Sequence, residues 1–339
     1  MMKIYKITCV AAFFAMGVLQ AQDIHFSQYN QAPLALNPGL TGVNACDWRA
    51  GITYRNQWAS VTTPYVTYEA FADMPIIKSI GRGGSRLAGG LLLYNDVSGD
   101  GNLTNLSALG NVSYVLGLGR ADHSISLGLQ AGLMQKSLDF NALKWPNQWN
   151  GSDFDQNQMS YEPVTGDNIS KFNMGFGLAY NNVVSPSFNI TGGFAMFNLV
   201  SPSESFLDDP DNKLGARMVG HVKAGFTFNK QIIVAPTVLY QTQSKAQEIL
   251  VGADFGYILN NANFPATFYL GAHDRLDDAI IAVVGMDYKN FRFGASYDIN
   301  NSSLKDASSG KGGFEISLVY TGCILPVIPS NYDMPCPRY

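Results

Sequence analysis

Residues 124–134 read SISLGLQAGLM. Ile125, Leu127, Leu129, Ala131 and Leu133 alternate with Ser124, Ser126, Gly128, Gln130 and Gly132. Successive side chains of a strand point to opposite faces, so this period of two predicts a strand with one apolar and one polar face. The same beat recurs in KFNMGFGLAYNN (171–182), FRFGASYD (291–298) and FEISLVY (314–320). Positions opposite the apolar ones are small or charged in each, which suits a wet interior better than a dry core.

Read outward from these stretches, the chain divides into fourteen strand segments. They lie near 48–57, 65–73, 85–96, 103–117, 122–139, 171–182, 187–199, 215–229, 231–242, 246–259, 264–273, 278–288, 291–300 and 312–321. Short links (118–122, 183–187, 229–231, 260–263, 288–290) alternate with longer polar ones (141–170, 200–214, 273–279, 300–313); 74–84 is longer than a tight turn. An even strand count with alternating short and long connections is the pattern of a transmembrane antiparallel β-barrel of the bacterial outer membrane, with both termini periplasmic. A soluble all-β sandwich would need a dry core that the Gly and Ser face does not supply.

Composition agrees. Charged residues make up 14% of the chain, against roughly 25% in ordinary soluble domains. Aromatic residues reach 12% and there are 34 glycines. The net charge of −4, with no basic patch, argues against nucleic acid as a partner. Residues 1–21 carry Lys3 and Lys6, then the 13-residue apolar run ITCVAAFFAMGVL and a small residue before Gln22. This is expected to be a secretory signal peptide, the apolar run being too short for a membrane anchor. Cys46, Cys323 and Cys336 then remain for an oxidising compartment. Cys323 with Cys336 closes a short loop and is the natural disulfide candidate; Cys46 with Cys323 is the other pairing open to it.

Little else points to chemistry. In DVSGDGNLTNLS (96–107), Asp96, Ser98, Asp100 and Gly101 match a calcium loop, but Ser107 stands where a bidentate Glu belongs, so a hairpin turn is expected. GRGGSR (81–86) and GLGR (117–120) open no helix and read as turns. His25, His123, His221 and His273 have no metal-ligand spacing, and no nucleophile, base and orienter cluster together. No catalytic residue, metal or cofactor is expected, and the chain is read as a non-enzyme. Arg49, Arg55, Glu69, Asp73, Lys223, Asp254, Asp287, Arg292, Asp298 and Glu315 fall opposite the apolar positions, hence toward the lumen.

The stretch before the first strand, HFSQYNQAPLALNPGLTG (25–42), alternates too poorly for a strand. Pro33 and Pro38 stop a long helix, yet Phe26, Tyr29, Leu34, Leu36 and Leu40 ask for burial. This stretch, followed by WRAGITYRNQW (48–58) and Pro64, resembles the start of the PorP/SprF family of outer-membrane proteins associated with type IX secretion in Bacteroidetes. The similarity continues through 88–116, 123–132 and the ending CPRY (336–339).

The resemblance implies a barrel accessory to secretion and gliding machinery that exports large adhesin-like proteins or holds them at the surface. It also implies type IX secretion components, an adhesin-like cargo and periplasmic ring or peptidoglycan-associated proteins as partners. Residues 22–47 are expected to form a periplasmic or lumenal segment against the barrel's inner mouth, the barrel to span 48–321, and 322–339 to be a periplasmic tail. Phe26, Tyr29, Leu36, Arg55, Gln57 and Trp58 are the candidate contacts between segment and barrel. Trp145 and Trp149, in the long 141–170 link, are candidates for an external partner surface. The competing reading is a porin or a fatty-acid-type transporter, whose lumen would conduct.

Overall fold

The computed structural model describes residues 23–323 apart from 45, 62, 81–83, 121, 156, 163–165, 207–208, 210–211, 262–263 and 303–304. The expected signal peptide and most of the C-terminal tail, Cys336 included, lie outside the described residues. Fourteen antiparallel strands follow one another around a closed barrel. They are β1 (Trp48–Gln57), β2 (Tyr65–Ile77), β3 (Arg86–Ser98), β4 (Leu103–Arg120), β5 (His123–Ser137), β6 (Asn168–Ser185) and β7 (Phe188–Phe197). Then come β8 (Arg217–Phe228), β9 (Ile232–Gln243), β10 (Ala246–Leu259), β11 (Ala266–Arg275), β12 (Ala279–Tyr288), β13 (Phe291–Asn300) and β14 (Lys311–Gly322). The ring closes where β1 pairs antiparallel with β14, Ile52 opposite Leu318.

Which face is buried decides what surrounds the barrel. Leu127 and Leu133 on β5 are 54% and 62% exposed, whereas Ser126 and Gln130 between them are 2% and 4% exposed. The inversion recurs around the ring: Ile52, Tyr68, Leu91, Phe172, Val222, Phe255, Leu270 and Ile316 all point out. An unbroken apolar outer band with polar side chains inside is stable only in lipid. Among the described residues no helix is long and apolar enough to cross a membrane; the strands do so. The lumenal charges fall as the alternation required, Arg49, Arg55, Glu69, Asp73, Asp298 and Glu315 being buried inside.

Odd-numbered strands leave one end of the barrel, here the turn end, and even-numbered strands return to it. Links of two or three residues join β4 to β5, β6 to β7, β8 to β9 and β12 to β13 at the turn end. The opposite, loop end carries the long links 138–167 and 198–216. One expected loop is absent: in HDRLDDA (273–279) the strand β11 continues to Arg275 and only residues 276–278 turn. His273 and Arg275 extend the alternation because each faces inward and finds a carboxylate there, Asp254 and Asp298.

The disulfide also differs from expectation. Cys323 is bonded to Cys46, their Cα atoms 4.7 Å apart, and not to Cys336. Barrel closure is the reason: β1 and β14 are neighbours, so the residue before one and the residue after the other meet at the turn end.

Candidate functional site

The site is the lumen itself, and residues 23–44 lie in it. Tyr29–Gln31 and Pro38–Leu40 form single 3-10 turns flanking one α-helical turn, Pro33–Leu36. Each proline sits at the first position of its turn, where its missing N–H costs nothing. Phe26, Tyr29, Leu34, Leu36 and Leu40 are buried. Phe26, Ala32, Leu34 and Ala35 pack with Phe71, Leu92, Leu109 and Val319 of the wall, and Tyr29, Leu36 and Leu40 with Ala179, Phe197, Val219 and Leu239. A stretch this short that touches strands on all sides of a closed ring lies inside it.

At the loop-end half, a charge cluster holds the segment. Glu315 accepts hydrogen bonds from the backbone N–H of Ser27 (2.9 Å) and of Gln28 (2.8 Å). The Ser27 hydroxyl donates to Asp298 (2.7 Å) and accepts from Arg55 Nη1 (2.6 Å) and Arg275 Nη2 (2.9 Å). Arg55 pairs with Asp298 (2.9 Å) and Glu315 (3.1 Å), and Arg275 with Asp298 (3.1 Å). Two guanidiniums thus meet two carboxylates around one serine, which satisfies buried charges that would otherwise be costly. Toward the turn end, Asp73 takes a bidentate grip from Arg49 (both 2.9 Å) and accepts from the Gly42 N–H (2.6 Å).

The opposite wall works by close approach. Asn37 donates from Nδ2 to the Leu178 carbonyl (3.0 Å) and accepts at Oδ1 from the Gly39 N–H (2.8 Å). Ser126 and Ser113 donate to the carbonyls of Gly39 and Thr41, each at 2.5 Å. Beneath them Gly128 and Gly177 leave the room: a Cβ on Gly128 would run into the Pro38 carbonyl, and one on Gly177 into the Asn37 side chain.

Burial shifts two groups of the segment. It pushes the His25 imidazole down to about 4, against the pull of Glu248, and raises the Tyr29 phenol, which bonds Thr237. Between the segment and β8–β13, a cavity of about 480 Å³ reaches Ser27 and Gln28. Along its wall Lys223 and His273 contact Asp254, and Arg292 pairs with Asp287 just behind it.

The sequence-derived contacts are divided by the structure. Phe26, Tyr29, Leu36 and Arg55 touch one another's surroundings as described. Gln57 does not reach the segment; its side-chain oxygen accepts from Arg55 Nε at 3.4 Å. Trp58 leaves β1 with φ 57° and packs edge-on against Tyr65 at 5.1 Å, outside the lumenal contacts. Trp145 stacks on Phe140 at 6.4 Å, and Trp149, half exposed, lies against Phe154 at 5.1 Å, both in the loop-end link. Ser27, Asn37 and Arg275 were not singled out by the sequence. NPG (37–39) is the signal that could have found Asn37, whose side chain caps the following 3-10 turn.

The whole barrel, with its threaded segment, matches one family description. Residues 18–320 fit the family of type IX secretion system membrane proteins PorP/SprF. The chain belongs to this family. No curated protein matches its sequence. Among solved structures, it is similar to the Ralstonia pickettii toluene transporter TbuX (TM-score 0.46, 13% identity, 86% of this chain and 92% of that one). A Pseudomonas aeruginosa FadL homologue gives TM-score 0.45 and 10% identity over 84% and 92% of the two chains. By its family and its closed strand ring, the PorP/SprF chain is an outer-membrane β-barrel of a secretion family. Of its described ends, Cys323 sits at the turn end, whereas Asp23 donates to Gln243 and meets Arg217 at the loop end. Strand parity fixes where β1 begins but not where the segment ahead of it starts.

Proposed function

We propose that this PorP/SprF protein is a non-enzymatic accessory of type IX secretion that supports export or surface attachment of large adhesin-like proteins, with its lumen closed in isolation. The short-turn end then faces the periplasm and meets ring or peptidoglycan-associated components, and the loop end meets cargo. The observation that carries the reading is the segment 23–44 threaded through the lumen and bonded to both walls, which suits a docking barrel rather than a standing pore. In planar bilayers the purified chain is expected to carry no steady current, and deletion of residues 23–42 to open one. Surface and supernatant proteomics of a deletion strain should lose one or two large surface proteins. An unchanged surface proteome with altered small-solute uptake would sink this reading in favour of a transporter.

A further inference from the structure

The cavity beneath the segment is a vestibule of the turn end. Its lining runs from Ser185, Pro186 and Thr227, beside the turns, inward to Ser27 and Gln28, where the charge cluster fills the lumen. A ligand therefore enters from the turn end. One charged group in the lining stands apart. Arg86, the first residue of β3, shares the lumenal face with Ala88 and Leu92, both buried. Its Nε donates to the Gly42 carbonyl (3.0 Å). Among the described residues its two Nη groups hold no hydrogen bond, and no carboxylate lies within ion-pair distance. The acid that acts on it at longer range, Asp73, is already taken by Arg49 on both oxygens and by the Gly42 N–H. Other cations along the lining have acids of their own, Lys223 with Asp254, Arg292 with Asp287 and Lys78 with Asp47.

The rim repeats this sign. In sequence the turn-end links hold Lys78, Arg82, Lys230 and Lys289 against a single acid, Asp122. The loop-end link 138–167 holds five acids against one base, Lys144. An anionic partner is therefore drawn to the turn end and repelled by the loop end. A guanidinium with unused Nη donors matches a carboxylate, which it holds through two parallel hydrogen bonds. Ile233, Ala235, Val283 and Phe293 line the same cavity, so the rest of the ligand carries apolar side chains. The half-buried amides of Asn30 and Gln31 and the ion pairs interrupt this apolar surface. A long acyl chain would strip water from those polar groups and return nothing, whereas peptide N–H and C=O groups replace the water. A volume of about 480 Å³ suits a short segment, not a folded domain. We propose that this vestibule binds an extended acidic peptide segment of a partner protein, with Arg86 taking a carboxylate of the peptide. The inference deepens the proposed function, since it rests on the turn end being the side that meets periplasmic components.

The test passes a pool of random octapeptides over the full chain, purified and immobilised in detergent, and sequences what is retained. Retained peptides should be enriched in Asp or Glu beside apolar residues. The most enriched one, made with a fluorescent label, should bind saturably by polarisation. Arg86→Gln should weaken it at least tenfold, as should changing the peptide's acids to amides, while Lys144→Gln at the loop end leaves it unchanged. If Arg86→Gln fails to assemble, Ala235→Leu, which crowds the cavity and keeps every charge, should weaken binding as well. No enrichment of acidic peptides, or unchanged affinity in whichever variant assembles, overturns the proposal. So does sodium oleate binding that depends on Arg86 while no peptide binds, which would make the vestibule a fatty-acid site. A barrel that fails here can still lose surface proteins on deletion, and one that passes can leave the surface proteome unchanged, so the two readings fail separately.

Discussion

Two walls of the lumen hold the same segment by opposite means. The wall of β1, β11, β13 and β14 grips it with charge, Arg55 and Arg275 against Asp298 and Glu315 around Ser27. The wall of β5 and β6 drops the side chain at two positions, so that Gly128 and Gly177 let Pro38, Asn37 and Gly39 rest on bare backbone, with Ser126 bonding Gly39 alongside. Charge gives a specific but conditional hold, since each ion needs its partner. Close packing gives a hold that depends on shape alone. A segment fastened in both ways is seated in one register and leaves the lumen only when both walls yield.

The largest effect should come from the charged wall. Arg55→Ala strips Glu315 of its cation and leaves Asp298 to Arg275 alone. Removing one partner of a buried pair costs about 3–5 kcal/mol. The segment should loosen, seen as faster proteolysis within 23–44 in detergent, while β-sheet content stays unchanged. Cleavage at the wild-type rate would mean that the apolar contacts suffice.

The glycine wall should yield less. Gly128→Ala or Gly177→Ala forces a methyl into the segment's backbone or into Asn37, and overpacking of this kind costs about 1–3 kcal/mol. Gly220→Ala is the control: it lies on β8 with nothing within 4 Å of an added Cβ. Protease sensitivity should rise in the first two and not in the third. A Gly128→Ala protein as resistant as wild type would show that the segment can shift without loosening.

The two walls also differ in how far the sequence announced them. The strands were plain because alternation is a property of each strand alone: 48–57, 246–259 and 291–300 are β1, β10 and β13 to the residue. The lumenal direction of Arg55, Asp298 and Glu315 followed from the same alternation, since charge on the lipid face is costly. Their common partner, Ser27, did not follow, because a serine in an irregular stretch carries no periodic signal. Arg275 was hidden inside HDRLDDA, whose acids read as a loop until the lumen offers them partners. Gly128 and Gly177 looked like ordinary polar-face glycines; only the position of Pro38 and Asn37 in space explains them. The disulfide follows from ring closure, a relation between chain ends that spacing cannot show.

The smallest effect belongs to His25, which stands near the charged wall, with Glu248, Asp278, Arg55 and Arg275 acting on it. Its Nε2 is enclosed without a hydrogen-bond partner, and burial pushes the group down from 6.5 to about 4. A base with a lowered folded pKa binds fewer protons folded than unfolded between those values, so stability rises with pH across that window. The segment's seating is therefore fully held above about pH 6.5 and is progressively lost as pH falls toward about 4. His25→Gln, which cannot titrate, should flatten this part of the profile. The measurement is protease sensitivity of the segment at pH 7.5, 6 and 5 in both proteins, read as the difference between them so that other titrating groups cancel. If that difference stays constant with pH, the loss of seating in acid belongs to the carboxylates of the charged wall, and the two walls alone account for how the segment is held.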